Sequence, residues 1–295
     1  MKKILILMST LLCAATVWSQ NALVFQSDFG TKDAAVASMK GVAFGVSPDL
    51  RMFDLTHEIP AYNVWEAAQR LMQTAEYWPA GTVFVSVVDP GVGTERKSVV
   101  MKTKTGHYFV TPDNGTLTRV AEELGVAALR EIDEAVNRLE SSENSYTFHG
   151  RDVYAYTGAR LAAGVITFEE VGPELPPGVV AISYQKARFE DGTVYGNIPI
   201  LDIQYGNIWT NIDRTTFEKL HVTFGEKLNV KITHGQRRVL ETTMPYFATF
   251  GGVEVGESLL YLNSLNKVAL AINQGNFAKT YKIASGAEWN IEIWK

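Results

Sequence analysis

The chain reads as an α/β protein whose N-terminal part builds a mostly parallel sheet and whose C-terminal part is a smaller all-β unit, a barrel or sandwich. Three observations carry this reading. Short uncharged, β-branched runs alternate with segments of helical period as far as about Ala163, the pattern of strands joined by helical crossovers. A stiff stretch, Gly172-Pro173-Glu174-Leu175-Pro176-Pro177-Gly178, then breaks the pattern. Beyond it the chain is strand-like, with turn signals at Asp191-Gly192, Gly206-Asn207, Gly225, Gly251-Gly252 and Asn266-Lys267. The expected organisation is a leader over 1–20, an α/β domain over 21–175 and a β-domain over 179–295.

The leader is read from Lys2 and Lys3, the apolar segment Ile4–Val17, and small Ser19 before Gln20, which together suit a cleaved secretory signal. That segment is too short to be a membrane span. Ala22–Ser27 follows as a short strand running into Asp28-Phe29-Gly30-Thr31, and Asp33 is placed to cap a helix over roughly Ala34–Phe44. Arg51–Leu55 reads as a second strand ending near His57. Val64, Ala67, Ala68, Leu71 and Ala75 give Val64–Tyr77 a helical period, which Pro79-Ala80-Gly81 stops. Val83–Val88 carries no charge and reads as a strand buried on both faces. Ser98–Lys104 and Tyr108–Thr111 form a hairpin around Gly106, and a helix follows near Leu117–Leu124. His149-Gly150-Arg151-Asp152 opens an Ala-rich helix that reaches about Ala163. Strands alternating with helices in this way make the first domain Rossmann-like.

Composition narrows the function. The chain has 295 residues, 46% hydrophobic and 20% charged, which is ordinary for one large or two medium globular domains. A formal charge of −5 without a basic stripe disfavours nucleic acid and anionic membrane as partners. The single cysteine, Cys13, lies in the leader, so a mature chain has no disulfide framework, thiol nucleophile or thiolate metal site. The expected setting is secreted or periplasmic.

The stretch Val83–Lys97, VFVSVVDPGVGTERK, concentrates the chemistry. A carboxylate just past the carboxyl end of a buried strand stands where open α/β sheets hold their ligands, and Asp89 is such a group. Gly91 and Gly93 let the next loop come close to a ligand, and that loop carries Arg96. Asp28, Asp54, His57 and His149 also fall at sheet-edge positions. Three uses compete for these residues. A metallohydrolase would take Asp and His as ligands, although neither His-x-His nor His-Glu-x-x-His occurs. A dinucleotide loop would start at Gly91-x-Gly93, but Arg96 stands where its third glycine belongs. The third use is a metal-free site that orients water with Asp89, Arg96 and His149.

Six segments, SDFGTKD (27–33), VDPGVGTERK (88–97), PDNGTLT (112–118), FHGRDVYA (148–155), YGNIWTNI (205–212) and YLNS…NQGNFA (261–278), occur in order over nearly the whole mature chain. Together they resemble the S-adenosylmethionine hydroxide adenosyltransferases, water-using relatives of the fluorinating and chlorinating enzymes. The resemblance implies a nucleoside-binding α/β domain, a C-terminal β-domain, and a homotrimer with sites between subunits. It implies hydrolysis of S-adenosylmethionine to adenosine and methionine without a cofactor, with Asp89, Arg96 and His149 as the catalytic set. The halogenating relatives differ at those three positions, and the fluorinating branch carries a long insertion in the hairpin here closed by Thr105-Gly106-His107.

For the substrate, the resemblance gives Asp28 the ribose hydroxyls, Asp33 the methionine ammonium, Asp202 the amino-acid end and Asn207 the adenine. Tyr62 and Trp209 line the sulfonium and ribose, and Tyr261 and Ser264 complete the site. Leu265 departs from the fluorinating branch, which has an arginine there for the methionine carboxylate. Two other functions stay open on these residues: an exported, non-catalytic binding protein for adenosine-like ligands, and the Asp/His metallohydrolase.

Overall fold

The computed structural model describes residues 21–295, and the leader expected over Met1–Gln20 lies outside them. Strand β1 (Leu23–Ser27) leads through helix α1 (Ala35–Val46) to β2 (Met52–Thr56), and α2 (Val64–Ala75) leads to β3 (Val83–Val87). The hairpin of β4 (Ser98–Thr103) and β5 (Tyr108–Pro112) comes next, then α3 (Thr118–Leu124), β6 (Val126–Glu131) and, much later, the two-residue β7 (Glu174–Leu175). These seven strands form one sheet in the order β2-β1-β3-β5-β4-β6-β7.

The sheet is less parallel than its sequence suggests. The pairings β1–β2, β1–β3 and β3–β5 are parallel, whereas β4–β5, β4–β6 and β6–β7 are antiparallel. A tight hairpin can join only antiparallel neighbours, so the turn around Gly106 fixes the change of direction. Strand β6 has no counterpart in the sequence reading, because Ala127 and Ala128 give it little strand character.

β1 and β3 are buried at every position, as their uncharged sequences require. Leu23, Phe25, Val83, Val85 and Val87 pack on one face with Met39 and Ala43 of α1. Val24 and Phe84 pack on the other with Leu71 of α2 and Val120 of α3. The Ala-rich helix expected from His149 is present, but its first turns, Gly150–Ala155, are wound as a π-helix before α4 (Tyr156–Ala162) begins. Gly158 brings α4 close to the sheet, since a Cβ there would lie 2.4 Å from Val85 Cγ2.

This topology gathers one edge. Ser27 pairs with Val87, so Asp28 and Asp89 both fall just beyond the carboxyl ends of parallel neighbours. Ser98 pairs with Pro112 at the end of β5, which puts Arg96 beside them. The π-helical turn begins against the same edge, with Gly150 next to Val87, Phe29 and Phe148.

The named strands of the rest of the chain pair antiparallel. β8 (Arg188–Glu190), β9 (Thr193–Asn197), β12 (Lys227–His234), β13 (Arg237–Pro245) and β16 (Trp289–Trp294) form a five-stranded sheet in the order β13-β12-β16-β9-β8. β10 (Ile200–Asp202), β11 (Asn207–Asp213), β14 (Ser258–Leu262) and β15 (Lys267–Ile272) form a four-stranded sheet in the order β10-β11-β15-β14. Both contribute to one apolar cluster, with Val194, Val230 and Ile291 from the first and Ile208, Leu260 and Leu270 from the second. Trp65 Nε1 donates to the Pro199 carbonyl at 3.0 Å and Arg70 Nη2 to the Leu201 carbonyl at 3.3 Å, tying α2 to β10. No helix among the described residues is long and apolar enough to cross a membrane.

Candidate active site

Asp89 and Arg96 meet as the glycine loop between them suggests. Arg96 Nε lies 3.0 and 3.1 Å from the two Asp89 oxygens, and Nη2 lies 2.6 Å from Oδ2. Their side chains are only 5% and 11% exposed, so this is a buried pair rather than a solvated surface one. Burial, the largest single influence, weakens Arg96's hold on its proton, but the hydrogen bonds it donates to Asp89 and the electrostatic pull of Tyr154, Asp89 and Glu134 together raise the guanidinium above its ordinary value. Arg96 Nη1 also donates to Ser98 Oγ at 3.0 Å, and Ser98 in turn contacts the Tyr154 hydroxyl at 3.1 Å. Burial pushes the Tyr154 phenol well above its usual range, so it stays protonated behind the site.

His149 completes the group, its Nδ1 2.9 Å from Arg96 Nη2. Burial is the main influence on the ring and lowers its proton affinity below the ordinary imidazole value. The unfolded chain therefore takes up this proton first. The stabilising contribution of neutral His149 is complete above about pH 6.5 and is lost as the pH falls below it.

Asp28, Tyr62, Asp89, Phe148 and His149 line a cavity of about 270 Å³. Asp28 Oδ2 accepts the Tyr62 backbone N–H at 2.8 Å, and Tyr62 adopts a left-handed φ of 68° to deliver it. The Tyr62 ring is itself exposed. Asp33 is not part of this cavity lining. It is exposed, and its Oδ1 accepts the Ala35 N–H at 2.9 Å at the start of α1.

The remaining expected residues line a different cavity, of about 760 Å³, on the four-stranded sheet: Asp202, Asn207, Trp209, Tyr261 and Ser264. Asp202 and Asn207 face each other across the β10–β11 pair, with Asn207 Nδ2 3.2 Å from Asp202 Oδ2. Burial raises the Tyr261 phenol to about 12, so it too is a neutral hydroxyl. Leu265 does not line this cavity; its N–H is held by Asn263 Oδ1 at 2.9 Å in the turn after β14.

The same division runs through the comparisons with known proteins. Residues 23–172 match the family model described as the SAM hydroxide adenosyltransferase N-terminal domain, and residues 196–290 match its C-terminal domain. The chain belongs to the SAM hydroxide adenosyltransferase family. An (R)-S-adenosyl-L-methionine hydrolase from Methanocaldococcus jannaschii is 37% identical over 72% of this chain and 73% of its own length. A hydrolase of the same name from Salinispora tropica is 32% identical over 92% and 97%. A fluorinase from Nocardia brasiliensis is 30% identical over 92% and 96%. The crystal structure of an uncharacterized conserved protein from Thermotoga maritima superposes with a TM-score of 0.82 at 37% identity, over 92% of this chain and all of that one.

Seen as a SAM hydroxide adenosyltransferase, the chain keeps supporting residues that its motifs do not mark. His57, which the sequence offers as a metal ligand, has both nitrogens engaged: Nδ1 is 2.7 Å from Ser27 Oγ and Nε2 is 3.1 Å from Asp54 Oδ1. Lys40 holds the other Asp54 oxygen at 2.6 Å. The Ser27 hydroxyl is fully buried, so this chain of groups is no nucleophile; it braces the ends of β1 and β2 beneath Asp28. Among the described residues no three His, Cys, Asp or Glu side chains converge as a metal-binding group. Ser98 behind Arg96, and Glu134 and Arg138 behind His149, carry no signal beyond ordinary loop and strand composition, whereas Tyr154 falls within the FHGRDVYA segment.

One glycine is indispensable to the second cavity. Gly206 has φ +71°, and a Cβ there would lie 2.0–2.2 Å from the Asn276 amide. Gly206→Ala is expected to destabilise the fold by about 1–3 kcal/mol through this overlap. Thermal denaturation measures the loss.

Proposed function

We propose that the protein hydrolyses S-adenosyl-L-methionine to adenosine and L-methionine. The observation that carries this reading is that Asp89 and His149 line one cavity together with Asp28, and that Arg96 contacts both Asp89 and His149.

The chemistry suits that wall. Methionine departs from the ribose 5′ carbon as a neutral thioether and needs no general acid. The requirement is an oxygen nucleophile held in line with the C5′–S bond. Attack on a sulfonium cancels charge, so a pocket with little bulk water favours it. Arg96 stabilises hydroxide character on the attacking oxygen. The proton goes to Asp89: Arg96 has no lone pair, and both His149 nitrogens face guanidinium groups. A carboxylate has about four acceptor sites, and Arg96 fills three here. The C5′–O bond forms as the C5′–S bond breaks, the electron pair leaves on sulfur, and the water proton remains on Asp89.

The amino-acid end falls to Asp202 and the adenine to Asn207, with Trp209 against the sulfonium and ribose and Tyr261 and Ser264 completing the site. These line a separate cavity within one protomer, and both cavities have exposed aromatic rims at Tyr62, Tyr205 and Phe250. Two half-sites on one chain support an assembly in which each complete site forms between neighbouring subunits, a homotrimer whose first domain is Rossmann-like. The leader-like Met1–Gln20 supports a secreted or periplasmic location.

Incubating the purified protein with S-adenosylmethionine is expected to release adenosine and methionine in equal amounts, followed by chromatography. Stoichiometric binding without release would contradict the assignment.

A further inference from the structure

We propose that Arg138, paired with Glu134, is a positioning residue that keeps His149 neutral beside Arg96. The inference rests on reading this wall as the reaction centre.

Both nitrogens of the His149 ring face a guanidinium. Nδ1 lies 2.9 Å from Arg96 Nη2, and Nε2 lies 3.2 Å from Arg138 Nη2. A guanidinium donates hydrogen bonds and never accepts them. A neutral imidazole has one ring lone pair, so it converts one of these contacts into a hydrogen bond. An imidazolium has none and would aim N–H groups at two cations. Protonating His149 therefore undoes its grip on Arg96, and with it the orientation of the group that steadies the nucleophile.

Arg138 is built to stay in place. Its Nε and Nη2 lie 3.1 and 2.6 Å from Glu134 Oε2, and its side chain is 11% exposed. Nη1 donates to the carbonyls of Ser142 and Ser145 at 3.1 and 3.2 Å, clamping the loop that carries Thr147 and Phe148 into the cavity wall. The charged groups acting on the ring come from two segments: Asp89 and Arg96 from the sheet edge, Glu134 and Arg138 from the segment after β6. Burial lowers its proton affinity most; Glu134 then raises it, Arg96 and Arg138 lower it, and Asp89 raises it.

Two variants that break the same ion pair should move His149 in opposite directions. Arg138→Met removes a cation and leaves the Glu134 carboxylate acting on the ring, so the His149 titration and the acid limb of kcat move to higher pH, by about one unit. Glu134→Gln leaves Arg138 unopposed, and both move to lower pH. Arg138→Lys retains the charge and holds the limb near its wild-type position. The readouts are the NMR titration of His149, assigned with His149→Asn, and the pH profile of kcat.

Opposite displacements are the expected result. Displacements of the same sign, or none, would overturn the inference, as lost packing alone has no reason to change sign between the two. Should Arg138→Met fail to fold, an unmoved or raised His149 titration in Glu134→Gln overturns it alone. Absence of turnover by the wild-type protein would instead overturn the functional reading, which the NMR titration does not use.

Discussion

Asp89→Asn is expected to lower kcat for S-adenosylmethionine hydrolysis by about 10²–10⁴-fold, the range for a lost general base. Asparagine keeps the size and one acceptor oxygen of aspartate but takes no proton from the attacking water. It also deprives Arg96 of its buried counter-charge, which sits 2.6 Å away. Substrate affinity should change by less than about tenfold, since the group acts on the transition state more than on bound substrate. Stopped-flow binding beside steady-state turnover separates the two. A matched loss in affinity with unchanged kcat would remove Asp89 from the reaction. Arg96→Met is a harsher change, because it leaves the Asp89 carboxylate buried without a partner and costs the fold about 3–5 kcal/mol as well.

The second large effect concerns assembly. In the proposed trimer, Asp89→Asn damages only the half-site at the sheet edge, and Trp209→Ala only the half-site on the four-stranded sheet. Each homogeneous variant should be nearly inactive. Dissociating the two, mixing them equally and reassembling them should recover roughly a quarter of wild-type activity, because three in four random trimers are mixed and each holds one intact site in three. A site complete within one protomer predicts no recovery. Size-exclusion chromatography with light scattering checks that trimers re-form.

Much of this arrangement was legible in the residues. Asp28 and Asp89 follow strands whose uncharged sequences mark them as buried, and parallel strands end at one edge, so their nearness was legible; the register that pairs Ser27 with Val87 comes from the structure. Arg96 was legible because two glycines fold its loop back. The antiparallel half of the sheet was only partly legible: the β4–β5 hairpin shows itself at Gly106, but Ala-rich β6 resembles nothing in particular until it pairs with β4. Arg138 and Glu134 sit in a polar loop where any sequence reads as solvated charge. Their role depends on a fold that brings them to a histidine eleven residues further on. The separation of Asp202 and Asn207 from Asp89 was also hidden, since ordered motifs say which residues share a function and not which share a cavity in one chain. Asp33 illustrates the converse: spacing made it the cap of α1, but the N-cap is Ala34 and Asp33 accepts the Ala35 N–H from just outside the helix, while its contact with substrate rests on resemblance.

The origin of the 5′ oxygen in the product tests the central claim most directly. Turnover in water enriched in heavy oxygen should place the label in the 5′-hydroxyl of adenosine and none in methionine, at a rate independent of added halide. Unlabelled adenosine, or a 5′-halogenated nucleoside as the main product, would contradict an oriented water attacking the ribose carbon.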